Sequence, residues 1–141
     1  MSTGEAREIS FSGVRVRFDS TKTFDELCDA LLADIGEKPA QISDLPAVAD
    51  RDWDGFAAEV GRQAGPSDFM LIHLIDHSSW LRKAGLDRKA LRVILGNPLI
   101  AITMLRHDLT AGLFAPVELL LLEEDTDRSS LTYVKPSSLM V

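Results

Sequence analysis

The chain of 141 residues has the length of one ordinary domain, and 45% hydrophobic with 26% charged residues is typical of a folded globular protein. Its formal net charge of −7 opposes binding to a phosphate backbone, so we expect no nucleic acid partner. A single cysteine permits no internal disulfide, and no apolar run approaches the ~20 residues of a membrane span, so we expect no membrane partner and a cytoplasmic location.

The first elements are predicted to be a tail and a strand. Residues 1–10 are polar and aperiodic, which indicates a flexible N-terminal tail, and residues 11–141 are expected to form a single domain. Residues 13–18 alternate apolar and charged side chains, the period of a strand with one wet face.

A helix follows this strand. Thr23 and Glu26 have the spacing of a capping box, and apolar side chains then recur at helical spacing from Phe24 to Ile35. Cys28 lies on the apolar stripe, so we interpret it as a small buried side chain rather than a reactive thiol.

Residues 37–66 are predicted to be a helical insertion. Residues 37–51 contain two prolines and no clear period, which is typical of a connector. Apolar positions from Trp53 to Ala64 resume the helical period, with Asp50 or Asp52 as a possible N-cap.

The next unit is predicted to be a strand, a turn and a short helix. Residues 69–75 form a nearly continuous apolar run, which favours a strand covered on both sides. Asp76 or Ser78 can cap the short helix that follows, and Gly85 can supply the left-handed residue that ends it.

The last third predicts a strand, a helix and a hairpin. Residues 91–95 form the strand, and Pro98 is well suited to begin a helix that runs to about His107. Residues 117–122 and 130–134 bracket an acidic turn. The whole order predicts a two-layer α+β fold, with a mixed or mainly antiparallel sheet of about five strands and helices packed on one face.

Four ordered segments carry a family resemblance: residues 75–77, 95–98, 111–116 and 131–136, with sequences Ile-Asp-His, Leu-Gly-Asn-Pro, Ala-Gly-Leu-Phe-Ala-Pro and Leu-Thr-Tyr-Val-Lys-Pro. In order and spacing they resemble the bacterial and archaeal family called domain of unknown function 302. The chain departs from the family at the insertion and by lacking a glycine in its last hairpin. The resemblance implies a two-layer α+β fold and a homodimer, but no reaction, cofactor or catalytic residue.

Asp76 and His77 are weak candidates for acid–base catalysis. With His73 they form the one cluster suited to acid–base or metal chemistry. On a strand, His73 and His77 lie ~13 Å apart, too far to share a metal ion, whereas on a helix they could share one. The apolar run favours the strand, so we predict no metal site.

Ligand binding is predicted at the turn before the helix at Pro98. A strand that ends at Gly96 and passes directly into a helix leaves the N–H groups of Leu99 and Ile100 unpaired, and the helix dipole favours an anion there. Asn97 could contact a small anionic or polar ligand, or simply cap the helix. Near the C-terminus, Tyr133 could line a pocket or form part of an edge strand.

Motifs for common chemistries are absent from the sequence, which contains no Gly-x-Ser-x-Gly, dinucleotide-binding, phosphate-loop or zinc signature. We therefore expect no cofactor. The basic residues at 82–92 are interpreted as a solvated face, with an anion-attracting rim as the alternative. The favoured hypothesis is a small non-catalytic ligand-binding or assembly module that forms a homodimer. The alternative is a small enzyme that uses His77 and Asp76 in a pocket at the turns 76–78 and 96–98.

Overall fold

The computed structural model describes residues 4–36, 52–113 and 116–135, and its elements follow the predicted order. They are β1 (Arg15–Ser20), α1 (Phe24–Ile35), α2 (Trp53–Gln63), β2 (Met70–Asp76), α3 (Ser78–Lys83), β3 (Ala90–Gly96), α4 (Pro98–Leu105), a 3-10 helix (Leu109–Leu113), β4 (Val117–Asp125) and β5 (Arg128–Val134). Residues 4–14 form no regular secondary structure. The connector predicted at 37–51 lies outside the described residues, and the insertion stays a prediction.

The five strands form one sheet in the order β1-β5-β4-β3-β2, and every neighbouring pair is antiparallel. The predicted α+β fold is confirmed, and of the two predicted sheet types the antiparallel one is present. The hairpin β4–β5 is closed without a glycine, because the Asp125 carboxylate accepts a hydrogen bond from the backbone N–H of Asp127 at 2.9 Å. The hairpin occupies the interior of the sheet, while β1 and β2 form its two edges.

Helix α1 covers one face of the sheet and begins with the predicted capping box. The Thr23 hydroxyl accepts from the backbone N–H of Glu26, and the Glu26 carboxylate accepts from the N–H of Thr23. Apolar side chains of α1 pack on the core of the sheet, which includes Leu71, Val93 and Leu121. The apolar stripe of the helix, with its 3.6-residue period, thus packs on the alternate apolar residues of the strands, and together they form one apolar layer.

Cys28 lies within this layer, half-buried against the core. Burial raises the pKa of its thiol to about 11, and the carboxylates of Asp25, Asp29 and Asp76 act in the same direction. The interpretation of Cys28 as a packed side chain rather than a reactive thiol agrees with this environment.

The segment after α2 returns close to the end of α1. Asp52 is the N-cap of α2 and accepts from the N–H of Gly55 at 2.8 Å. At Gly65 a Cβ atom would lie 2.6 Å from the carbonyl oxygen of Asp34 and 2.6 Å from the carbonyl carbon of Ile35. Only a residue without a side chain allows the two backbones to approach so closely.

The turn into α3 differs in detail from the prediction. Ser78 does not cap α3, because its side chain is buried and its hydroxyl accepts from the backbone N–H of Ala90 at 3.0 Å. Asp76 instead accepts from the N–H of Ser78 at 2.8 Å, which lowers the pKa of the Asp76 carboxyl. Gly85 adopts a φ of 84°, as predicted for the residue that ends this helix.

Candidate functional site

An apolar cavity of about 560 Å³ lies between α2, α4 and the adjoining ends of β2, β3 and β4, and we call it the α2–α4 cavity. Its helical lining includes Trp53 and Phe56 from α2 with Ile100, Ala101, Ile102, Met104 and Leu105 from α4. The strands and loops add Phe69, Ile72, Gly96, Pro116 and Val117. The remaining lining residues are Asp52, Asn97 and Pro98, which stand where the two helices begin.

Sequence patterns explain how the helices border this space. α4 begins at Pro98, whose fixed φ and missing N–H suit the first helical position. Its eight residues are almost entirely apolar, without the polar face of an ordinary surface helix. Of the lining residues, Gly96, Asn97 and Ile100 were predicted to bind a ligand and Pro98 belongs to the predicted turn 96–98, whereas the others were not predicted. The lack of a polar face on α4 was the available signal that this helix borders apolar space on more than one side.

Gly96 allows Pro116 to pack close to the end of β3. A Cβ atom at Gly96 would lie 3.1 Å from Cβ of Pro116 and 3.5 Å from Cδ1 of Ile72. These distances are tight, so a larger residue would push Pro116 away from the strand. Gly96 therefore has a packing role in the cavity wall.

Asn97 is the N-cap of α4. Its side-chain oxygen accepts from the N–H of Leu99 at 2.9 Å, and its amide donates to the carbonyl of Asp68 at 2.6 Å. The N–H groups of Ile100 and Ala101 both point to the carbonyl of Asn97. The premise that Leu99 and Ile100 have unpaired N–H groups is therefore wrong, because the cap and the first helical turn already satisfy them.

His77 and Asp76 lie far from this cavity. Because β2 and β3 are antiparallel, with Met70 paired to Gly96 and Asp76 paired to Leu91, the turns 76–78 and 96–98 lie at opposite ends of the two strands. The expectation that both turns line one pocket is wrong for this reason. His77 accepts at Nδ1 a hydrogen bond from the Trp80 indole at 3.1 Å. The partner of its imidazole thus lies one helical turn further along the chain, while its backbone N–H donates to the carbonyl of Ala90 on β3.

His73 lies on β2, opposite Ile94, so the strand interpretation of this segment is confirmed. A register shift between Leu71 and His73 interrupts the pairing of β2 with β3. Among the described residues, no group of three or more His, Cys, Asp or Glu side chains is arranged to hold a metal ion.

A second concave surface lies on the sheet face opposite α1. Leu121 and Leu131 belong to the core under α1, so Leu120, Leu122 and Thr132 alternate to the opposite face. A groove of about 610 Å³ runs over this face. We call it the arginine groove, because Arg15, Arg17 and Arg92 line it beside these residues together with Leu113, Pro116, Val117, Glu118, Leu119, Tyr133 and Val134.

Tyr133 belongs to the arginine groove and not to the α2–α4 cavity. Its ring stacks on Phe18 with 6.4 Å between the ring centroids, on the α1 side of the sheet, because Tyr133 is two residues from Leu131 and Phe18 is paired with Leu131. The residues predicted to bind a ligand are therefore divided: Gly96, Asn97 and Ile100 line the cavity, Tyr133 lines the groove, and Leu99 lines neither.

Three of the five basic residues at 82–92 form ion pairs with acidic residues. Arg88 pairs with Glu124, Lys89 with Asp25, and Arg92 with Glu118. These pairs are exposed or half-exposed and contribute little stability individually. Of the basic residues between 82 and 92, only Arg92 lines the arginine groove.

Comparisons with known proteins point to one family. The model of the family described as "Domain of unknown function DUF302" matches residues 47–141. A similar solved structure is the "uncharacterized conserved protein DUF302 from Bacillus stearothermophilus", with 16% identity and a TM-score of 0.48 over 84% of this chain and 71% of that chain. No curated protein matches the chain. Among the described helices, none has the length and apolar character needed to cross a membrane.

Proposed function

The chain belongs to the DUF302 family, and from the α2–α4 cavity we propose that it is a non-catalytic module that binds a small apolar molecule. The observation that carries this proposal is the cavity itself. Its volume of about 560 Å³ falls within the range of small-molecule sites. Its wall consists mainly of aliphatic and aromatic side chains, which favour an apolar occupant over water.

The polar groups at the cavity explain why the ligand is apolar. Asp52 and Asn97 both serve as helix caps, so one side-chain oxygen of each already accepts a hydrogen bond from a backbone N–H group. Within the described residues, no buried side-chain nitrogen or oxygen lacks a hydrogen-bond partner. A ligand that enters the cavity therefore gains little from its own polar groups and gains mainly by burying apolar area.

Two exposed side chains in the lining support the proposal. Trp53 and Ile100 are 55% and 42% exposed although both contribute to the cavity wall. An occupant would cover part of this apolar surface and thereby stabilise the complex. A contiguous apolar concavity of this kind is characteristic of binding sites rather than of an ordinary surface.

The test uses N-phenyl-1-naphthylamine, a neutral fluorophore whose emission rises in an apolar site. We expect saturable binding by the wild-type protein and a loss of at least about tenfold in affinity for Ala101→Trp, which fills the cavity with a bulky ring. Ala33→Trp is the matched control, because Ala33 is exposed on α1 and lines neither cavity nor groove. Equal binding by both variants, or no saturable binding by the wild type, would contradict the proposal.

Self-association is the second proposal, and an edge strand supports it. β1 pairs with β5 alone in the described sheet, so one row of its backbone groups faces outward and can pair with another strand. Phe18 on this strand is 58% exposed. Antiparallel pairing of two copies of β1 about Phe18 would place Arg17 opposite Asp19 of the second copy, so opposite charges would meet across the interface.

Sedimentation velocity at micromolar concentration tests this homodimer. We expect twice the monomer mass of 15.5 kDa for the wild type. Phe18→Glu should sediment as a monomer, because a buried like-charge pair would replace two aromatic rings at the centre of the interface. Trp80→Glu is the control at an exposed aromatic residue far from β1 along the chain and should stay dimeric. A monomeric wild type would refute the proposal.

The enzyme alternative with His77 and Asp76 stays a prediction. Neither residue lines the α2–α4 cavity or the arginine groove.

A further inference from the structure

The α2–α4 cavity and the arginine groove adjoin each other. Pro116 and Val117 line both spaces, so the start of β4 forms their common border. The cavity lies on one side of this border with an almost wholly apolar wall. The groove lies on the other side and carries three guanidinium groups. One elongated ligand can therefore contact both environments.

The arginines flank an apolar strip at the centre of the groove. Cross-strand pairing places Arg15 beside Val134, Arg17 beside Thr132 and Arg92 beside Leu120. Among the described residues that line the groove, Glu118 is the only acidic one. Three guanidinium groups thus lie beside apolar side chains on this surface, and carboxylates of the described residues pair with those of Arg17 and Arg92.

Arg15 is the arginine available to an incoming anion. Arg17 is paired with Asp19 and Glu124, and Arg92 is paired with Glu118. Arg15 is exposed and forms no ion pair with another residue in the described part of the chain. Arg15 lies on β1, two strands from Glu118 on β4, which corresponds to ~10 Å at the spacing of neighbouring strands. An extended Arg15 side chain covers much of this distance, so its guanidinium can approach the start of β4, where the cavity and the groove meet.

We infer that the ligand of this site is a single-chain amphipathic carboxylate, such as a fatty acid. Its hydrocarbon chain lies in the α2–α4 cavity, passes the border at Pro116 and Val117, and its carboxylate binds the guanidinium of Arg15. This inference rests on the proposed function of the cavity and adds the head group. Charge complementarity supports it, because a guanidinium binds a carboxylate through two parallel hydrogen bonds, whereas a neutral alcohol of equal length has no such partner.

The test compares dodecanoate with 1-dodecanol, each displacing N-phenyl-1-naphthylamine from the protein. We expect the wild type to bind dodecanoate about fivefold more tightly than the alcohol, as a charge-assisted pair at an exposed arginine allows. Arg15→Gln should abolish this preference and leave the affinity for the alcohol unchanged. Arg7→Gln is the control, since it removes the same charge from an exposed residue outside the groove.

Each other outcome contradicts the inference in a distinguishable way. Equal affinity of the wild type for acid and alcohol would overturn the inferred carboxylate head group. The proposal that the cavity binds an apolar molecule would be unaffected. A preference for the acid that survives in Arg15→Gln would exclude Arg15 as its partner. Dodecyl phosphate bound tightly with dodecanoate bound weakly would replace the carboxylate by a phosphate head. Binding that weakens as the protein concentration rises would show that a second copy occupies the groove, and absence of any binding would overturn the cavity proposal as well.

Discussion

The layer under α1 and the α2–α4 cavity are built from the same kinds of side chain but are packed differently. Under α1, Leu71, Val93 and Leu121 are completely or almost completely buried, and the helix fills the space above them. Between α2 and α4, comparable side chains such as Phe56, Ile72 and Ile102 surround a space of about 560 Å³. Apolar composition therefore identifies where water is excluded, but it does not distinguish a filled core from a binding cavity.

The position of each helix accounts for this difference. α1 presents a regular apolar stripe to the sheet and contacts strands β2, β4 and β5. α4 is apolar nearly all round and packs on α2 and on the 3-10 helix. The apolar surface of α4 extends beyond the parts that contact α2 and the 3-10 helix, and the remaining apolar side chains border the cavity.

The largest expected effect contrasts a substitution in each region. Leu121→Ala should lower the free energy of unfolding by about 2–5 kcal/mol, because its side chain is fully buried and the neighbours cannot fill the void. Ile102→Ala should cost about 1 kcal/mol or less, because that side chain already borders empty space. Urea unfolding of both variants measures the contrast. Equal losses would show that the cavity region is packed as tightly as the core.

Substitutions at two glycines test the contact between the segment after α2 and the end of α1. Gly65→Ala should destabilise by about 1–3 kcal/mol, because its Cβ would collide with the backbone at the end of α1. Gly61→Ala should stabilise by about 0.5–1 kcal/mol, because Gly61 is helical and open space surrounds its Cα. Thermal unfolding should therefore shift in opposite directions. A loss of stability in both variants would contradict the contact between the α2 segment and α1.

Asn97→Ala tests the N-cap of α4 at the edge of the cavity. Loss of the hydrogen bond from the N–H of Leu99 should lower the free energy of unfolding by about 1 kcal/mol, and Asn97→Asp should recover only part of this loss, because its carboxylate keeps the acceptor for Leu99 but loses the donor to the Asp68 carbonyl. We further expect sulfate to cause no saturable shift of the Leu99 and Ile100 amide signals in nuclear magnetic resonance spectra. A saturable shift that disappears in Asn97→Ala would restore the anion site predicted at this turn.

Much of this architecture was predictable because it depends on local rules. The capping box at Thr23, the proline that begins α4 and the left-handed residue Gly85 each follow from interactions within a few residues. The site was predictable only in part. Asn97 was found because caps are local, whereas Trp53 and Pro116 approach the same cavity from distant parts of the chain.

The smallest expected effect concerns Cys28 in the layer under α1. Its pKa is raised from 9.0 to about 11, so the folded state retains a proton that the unfolded chain loses first. The corresponding stabilisation is complete below pH 9 and is lost as the pH rises through about 11. Cys28→Ala should remove this component from the pH dependence of unfolding. Native Cys28 should also react slowly with iodoacetamide at pH 8 and rapidly in urea, and fast native labelling would contradict its packed position.

The sequence by itself determined the order and type of the elements and, through its apolar periods, the α+β class, because these depend on neighbours along the chain. Only the tertiary structure decided the strand order β1-β5-β4-β3-β2 and the antiparallel register. That register separates His77 from Asn97 and places Tyr133 in the arginine groove rather than the cavity. Such distances follow from pairing between remote segments, and no local pattern specifies which strands will pair.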